Sequence, residues 1–95
     1  GLGDVYKRQE INGIDQHLVA LLEKRMALVE QVTAYKLANQ LPVLDQAREN
    51  QILDRVSRLV KDQAFKPVIH ETFKTIMSLS RQYQTQHLTG GETND

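Results

Sequence analysis

The sequence contains no cysteine and no tryptophan, and it has no excess of charge of either sign. Without cysteine there is no disulfide framework, thiol nucleophile or thiolate metal site, and a reducing, cytoplasmic location is expected. The 12 Lys and Arg residues balance the 12 Asp and Glu residues, so no basic field exists for a nucleic-acid backbone or an anionic membrane. No apolar run reaches the roughly 20 residues that span a bilayer. These absences predict a soluble domain that binds neither nucleic acid nor membrane.

The length of the chain and the composition of its two ends define what the domain contains. At 95 residues it is close to the size at which one chain has difficulty in completing a core, so oligomerisation is expected. Residues 1–9 (GLGDVYKRQ) begin with glycine instead of methionine, and we interpret them as a doubtful leader, not necessarily native, that runs into helix one. Residues 89–95 (TGGETND) are polar and glycine-rich, which predicts a disordered tail or the start of a linker.

Between these ends the apolar pattern is helical, and no strand signal competes with it. Apolar residues at three- and four-residue steps predict a first helix over about residues 8–39. Pro42 ends that helix, and Asp45 stands where an N-cap belongs, which predicts a second helix over about residues 46–63. Pro67 suits the first turn of a third helix that ends near residue 88. The fold class is therefore all-α, with one long and two shorter helices.

Two cations lie on the apolar face of the first predicted helix. Arg25 follows Leu18 by seven residues and precedes Val29 by four, so it falls on the apolar stripe. Lys36 is eleven residues beyond Arg25, and at about 100° per residue the two differ by only about 20° around the axis. Their backbones are about 16 Å apart, and two long side chains leaning together leave room for a small polyanion.

The other two predicted helices also turn polar groups toward their apolar faces. Glu49 lies on the inward stripe of the second helix with Arg48 beside it, and Ser80 and Gln84 are one turn apart on the third. Each residue alone has an ordinary explanation, such as a stripe margin, a cap or a solvated pair. Together they would bury uncompensated charge unless an anion joined them, so the joint pattern favours a ligand site.

The three histidines do not extend this site. His17, His70 and His87 show no i, i+4 spacing with one another and no adjacent acidic cluster, so no metal site is expected. No cofactor is implied by any motif in the sequence. We interpret the histidines as surface residues.

These residues carry a resemblance to a known family. The segment RQEINGIDQHLVALLEKRMALVEQVTAYKLANQLPVLDQARENQIL resembles the all-helical chorismate mutases, which have an inward arginine and lysine on a long first helix and a P-V-x-D-x-x-R-E pattern opening the second. The resemblance extends over about residues 8–88 and is most specific over residues 25–53. It implies an intertwined homodimer that rearranges chorismate to prephenate, in phenylalanine and tyrosine biosynthesis, without cofactor or metal.

The resemblance also implies roles for individual residues. Arg25, and Arg8 from the partner chain, would pair with the two substrate carboxylates, since arginine binds carboxylates in a bidentate manner. Lys36 and Gln84 would donate to the ether oxygen as its bond breaks. Glu49 would accept from the ring hydroxyl. Ser80 would assist in binding a carboxylate. Asp45 and Arg48 would shape the wall of the substrate-binding site.

Three other functions compete with a free-standing mutase. An isochorismate-pyruvate lyase of the same fold would use similar cations, although the P-V-L-D-x-x-R-E stretch looks more like the mutase. A non-catalytic helical dimerisation module predicts that Lys36 and Glu49 are exposed and replaceable. In a third alternative the chain is a regulatory fragment of a larger fusion, because the family it resembles is often joined to prephenate dehydratase, prephenate dehydrogenase or the first enzyme of the pathway.

Overall fold

The computed structural model describes residues 1–89, and the long first helix, α1, extends over Leu2–Ala38. It begins about six residues before the predicted start, because residues 2–7 contain no proline and continue the helical hydrogen bonding. Its polarity suits the helix dipole, with Asp4 in the first turn and Lys36 in the last. The expectation of one long amino-terminal helix is confirmed.

The carboxyl end of α1 is closed by a Schellman motif. The Leu41 N–H donates to the Lys36 carbonyl at 2.7 Å, and the Gln40 N–H donates to the Leu37 carbonyl at 3.2 Å. Gln40 has a φ of 58°, the left-handed conformation that glycine adopts without steric cost. The chain therefore leaves α1 through a residue that carries a side chain where glycine is usual.

The second helix, α2, extends over Gln46–Leu59 and begins as predicted. Asp45 is its N-cap, because the Asp45 carboxylate accepts a hydrogen bond from the Arg48 backbone N–H at 3.0 Å. The predicted end near residue 63 is wrong by about one turn. Val60 is extended, with φ −70° and ψ 124°, and this ends the helix at Leu59.

A short 3-10 turn, Gln63–Phe65, leads into the third helix, α3, which extends over Lys66–Gln84. Pro67 lies in the first turn of α3, as predicted, where its missing N–H has no helical partner to lose. The last predicted turn is a π-helical segment, Thr85–Thr89, instead of α-helix. The predicted tail at residues 89–95 lies, apart from Thr89, outside the described residues.

The chain divides into two compact units, Gly1–Gln31 and a second unit that begins at Val32. In the second unit α2 packs against α3. The buried apolar side chains within residues 1–89 are Val56 of α2 and Met77 of α3. None of the helices in this part of the chain combines the length and the apolarity that crossing a lipid bilayer requires.

Candidate functional site

The most informative feature of the second unit is a pair of buried polar side chains on α3. Gln84 is 0% exposed and Ser80 is 5% exposed. Within residues 1–89, Gln84 Oε1, Gln84 Nε2 and Ser80 Oγ are buried atoms without a hydrogen-bond partner. A buried polar group without a partner costs about 1–3 kcal/mol, so native proteins rarely retain one unless a ligand or water completes it. Two such residues one turn apart make this part of α3 a candidate binding site.

A carboxylate from α2 reaches the same turn of α3. Glu49 lies in the first turn of α2, and its Oε2 accepts a hydrogen bond from Arg81 Nη1 at 2.6 Å. Both side chains are half-buried. Because Arg81 follows Ser80 directly and precedes Gln84 by three residues, Glu49 is held beside the turn that carries the unpartnered groups.

Lys36 belongs to the same neighbourhood through the loop that follows α1. Lys36 is half-buried, and its Nζ donates to the Val43 carbonyl oxygen at 3.2 Å. Val43 and Arg81 both line a cleft of about 300 Å³, together with four further residues: Leu44, Gln82, Thr85, Gln86. A non-catalytic module would leave Lys36 and Glu49 exposed, whereas both are half-buried and hydrogen-bonded.

Asp45 and Arg48 lie at the start of α2, and both are exposed. The carboxylate of Asp45 caps the helix, and the Glu49 backbone N–H donates to the Asp45 carbonyl at 3.0 Å. Asp45 thus fixes the turn that presents Glu49. The expectation that Asp45 and Arg48 shape the wall of a substrate site stays a prediction.

The two arginines predicted to bind carboxylates belong to the first unit. Arg8 is exposed and Arg25 is half-buried, both on α1. Their participation in one site with Lys36 and Gln84 stays a prediction.

The histidines are distributed over α1, α3 and the terminal π-helical segment. His17 and His87 are exposed, and His70 is half-buried. The His87 ring stacks on the Tyr83 ring, with centroids 4.0 Å apart. Within residues 1–89, no three His, Asp or Glu side chains are grouped so that they could hold a metal ion.

The sequence pattern did not identify Arg81, although the structure places it against Glu49. One signal was present, because Arg81 follows the buried Met77 by four residues and so lies on the same side of α3. Its partner is 32 residues away along the chain. No local spacing rule links an arginine near the end of one helix to a glutamate at the start of another.

The sequence matches a known protein family. The family model described as chorismate mutase type II matches residues 7–85. This match covers all eight sequence-predicted site residues and both helices that form the α2–α3 pair. The chain belongs to the type II chorismate mutase family.

A relative of known name matches part of the chain. It is a bifunctional chorismate mutase/prephenate dehydratase of Buchnera aphidicola subsp. Schizaphis graminum (strain Sg), 41% identical over 54 residues. The match covers 57% of this chain but only 14% of the relative. No solved structure matches the chain.

Proposed function

We propose that this chain catalyses the rearrangement of chorismate to prephenate, a step toward phenylalanine and tyrosine. The observation that supports this most directly is the pair of buried residues Ser80 and Gln84, whose side-chain polar atoms have no partner within residues 1–89. They lie one turn apart beside the ion pair of Glu49 and Arg81. Chorismate, the substrate that family membership implies, would provide hydrogen-bond partners for these polar atoms.

The reaction explains why a neutral amide and a lysine suit such a site. One substrate breaks an ether C–O bond and forms a C–C bond in a single pericyclic step, without proton transfer to the protein. The protein therefore acts by selecting the folded conformer of the substrate and by stabilising the polarised transition state. Lys36 and Gln84 donate hydrogen bonds to the ether oxygen, where negative charge gathers as the bond breaks.

The remaining residues bind the substrate on its other sides. Arg25, together with Arg8 of a second copy of the chain, pairs with the two carboxylates in bidentate fashion. Glu49 accepts a hydrogen bond from the ring hydroxyl. Ser80 Oγ donates to one carboxylate. Asp45 and Arg48 form the wall at the start of α2.

The active form in this proposal is an intertwined homodimer. Many large apolar side chains of α1 in the first unit are exposed in the single chain, with exposed fractions of 50% for Leu18, 62% for Leu21 and 56% for Ile14. Apolar side chains repeated along one helix are typical of a surface that a partner covers. A second copy is the occupant that the family resemblance implies, and it would bring the partner's Arg8 to the site.

A direct assay tests the activity. The purified chain is incubated with chorismate, and both the loss of chorismate and the formation of prephenate are measured against an enzyme-free control. Isochorismate is supplied in a parallel reaction, in which pyruvate release would identify a lyase. We expect prephenate from chorismate and no pyruvate from isochorismate. If the folded chain leaves chorismate at the uncatalysed rate, the proposed function is wrong.

A mixing experiment tests the contribution of Arg8 across the dimer. Arg8→Ala and Lys36→Ala chains are each expected to be nearly inactive. After subunit exchange, each heterodimer collects both defects in one site and leaves its other site intact, so about a quarter of wild-type activity should return. An absence of rescue after confirmed exchange would assign Arg8 to its own chain. Normal activity of the Arg8→Ala chain alone would remove Arg8 from the site.

The natural context of the domain is a further part of the proposal. The relative's name joins a chorismate mutase to a prephenate dehydratase, which supports a longer natural chain with a second aromatic-pathway domain. The cytoplasmic location expected from the cysteine-free sequence is proposed with it. Sequencing the gene beyond both ends of these residues, followed by cell fractionation, would test both statements.

A further inference from the structure

The ion pair between Arg81 and Glu49 differs from the other ion pairs within residues 1–89. Those pairs, between the amino terminus and Asp4 and between Lys74 and Glu71, are local, with N–O distances of 3.8 Å. Arg81 and Glu49 instead connect α3 to α2 at 2.6 Å, with side chains that are 32% and 21% exposed. This contact fixes the start of one helix against the end of another.

The geometry of the pair constrains the Glu49 side chain. Charge-assisted hydrogen bonds between nitrogen and a carboxylate are short and strong, about 2.7–2.9 Å, and the contact between Arg81 Nη1 and Glu49 Oε2, at 2.6 Å, is slightly shorter still. Glutamate has three rotatable side-chain bonds, so α2 alone does not determine where its carboxylate lies. Arg81 supplies the contact that selects one position.

The pair also leaves Glu49 able to bind a ligand. A carboxylate has about four acceptor positions on its two oxygens, and Arg81 donates to Oε2. Capacity remains on Oε1 for a hydroxyl donor. Arg81 itself lies in the same turn of α3 as Ser80 and Gln84, so one turn both presents the unpartnered groups and orients the carboxylate opposite.

We propose that Arg81 is a positioning residue for Glu49, one that sets the carboxylate where it accepts from the ring hydroxyl without itself touching the substrate. The inference rests on the proposed function and extends it by one residue. It follows from the kind of catalysis involved, because a reaction that depends on placement is sensitive to the position of each contacting group. A displacement of about 1 Å can lower a rate about a hundredfold.

A double-mutant cycle tests this role in the full chain. Arg81→Met, Arg81→Lys, Glu49→Gln and the double variant Arg81→Met with Glu49→Gln are assayed for kcat and KM with chorismate. Arg81→Met should lower kcat/KM at least about tenfold. Arg81→Lys, which keeps a cation and a donor, should recover most of that loss. In the Glu49→Gln background, Arg81→Met should change kcat/KM less than about twofold, because the carboxylate it positions is absent.

Controls separate this role from a general structural one. Arg58→Met, at an exposed position in the last turn of α2, should leave kcat/KM unchanged in both backgrounds. Helicity and thermal unfolding are recorded for every variant. If Arg81→Met does not fold, Arg81→Gln, with and without Glu49→Gln, forms the same cycle, and Arg81→Lys remains the conservative variant that should recover most of the loss.

The outcomes are distinct. Losses that multiply in the double variant would mean that Arg81 acts independently of Glu49, and the inference would be overturned. Wild-type kcat/KM in the folded Arg81→Met chain would overturn it equally. A wild-type chain that does not convert chorismate would instead refute the proposed function, and the inference would fail with it.

Discussion

The two units of the chain differ in which side chains lack their usual surroundings. In the first unit, Gly1–Gln31, apolar side chains such as Leu18 and Leu21 are exposed to solvent. In the second unit, Ser80 and Gln84 bury polar atoms that have no partner within residues 1–89. Exposed apolar area indicates a missing protein surface, whereas unpartnered buried polar atoms indicate a missing polar ligand. In the proposed function, the exposed apolar side chains of the first unit would form a dimer interface, and Ser80 and Gln84 would bind the substrate.

The largest expected effect comes from placing a charge among the exposed apolar side chains of the first unit. Leu18→Glu should dissociate the proposed dimer, because each Leu18 buried in an interface contributes about 1.5–3 kcal/mol and a buried carboxylate costs more. Sedimentation velocity should show monomers, with activity lost together with the dimer. Gln16→Glu, which adds the same charge at another exposed position, should remain dimeric. A fully active dimer of Leu18→Glu would place the interface elsewhere.

The next effect concerns the cation of the second unit. Lys36→Ala should lower kcat about 10²–10³-fold, as expected for the loss of a donor to developing negative charge. Arg25→Ala should also abolish most activity, chiefly through substrate binding. Both variants should remain folded and dimeric by circular dichroism and sedimentation. Lys61→Ala, at an exposed position, is the matched control and should be fully active.

A loss of activity in Lys36→Ala could come from the reaction itself or from a destabilised loop, and stability data distinguish the two causes. Lys36 Nζ also donates to the Val43 carbonyl, so removing the side chain should destabilise the loop after α1 by about 1–2 kcal/mol. A fall in kcat that exceeds any change in thermal stability would assign Lys36 to the reaction. Full activity in the Lys36→Ala chain would exclude it.

A smaller and conditional effect is expected at Gln84. The amide is neutral, so it supplies no titration of its own and should not by itself make the wild-type rate depend on mildly acidic to neutral pH. In Gln84→Glu the ionised carboxylate has no donor and opposes the developing charge, which should lower kcat about a hundredfold at neutral pH. The protonated form can donate. Activity should therefore recover as pH falls through the pKa of the new carboxyl, which burial raises.

The measurement for Gln84 is kcat at saturating chorismate across pH, with helicity followed in parallel. Gln51→Glu, the same change at an exposed position of α2, should keep a flat profile. If Gln84→Glu equals the wild-type chain at mildly alkaline pH, Gln84 does not contact the breaking bond.

Much of this architecture was predictable because the signals that determine it are local. Pro42 and Pro67 mark helix boundaries through their missing N–H groups, and Asp45 caps α2 within its own turn. Ser80 and Gln84 were recognised as inward-facing because a helix repeats every 3.6 residues. Each of these signals depends only on residues that are close together in the sequence.

The features that the sequence did not predict depend on contacts between elements or on backbone strain. Arg81 pairs with a glutamate 32 residues away, and helical periodicity does not specify which residue it meets. The complete burial of Gln84 depends on what packs around it. The left-handed Gln40 gave no signal either, because glycine or asparagine is the usual mark of such a position.

The smallest expected effect is at Gln40, where the chain leaves α1. Gln40 belongs neither to the exposed apolar side chains of the first unit nor to the buried polar pair Ser80 and Gln84. Gln40→Gly should stabilise the protein by about 0.5–1 kcal/mol, since glycine adopts a positive φ without steric cost, partly offset by its greater freedom in the unfolded chain. The unfolding temperature should rise by a few degrees, with dimerisation and kcat unchanged.

Asn39→Gly is the control one residue earlier, where φ is not positive and where the Asn39 side chain donates to the Tyr35 carbonyl at 2.8 Å. That variant should be destabilised. If Gln40→Gly instead lowers the unfolding temperature, the left-handed conformation of Gln40 is not the state of the loop in solution, and the Schellman closure at the end of α1 is wrong.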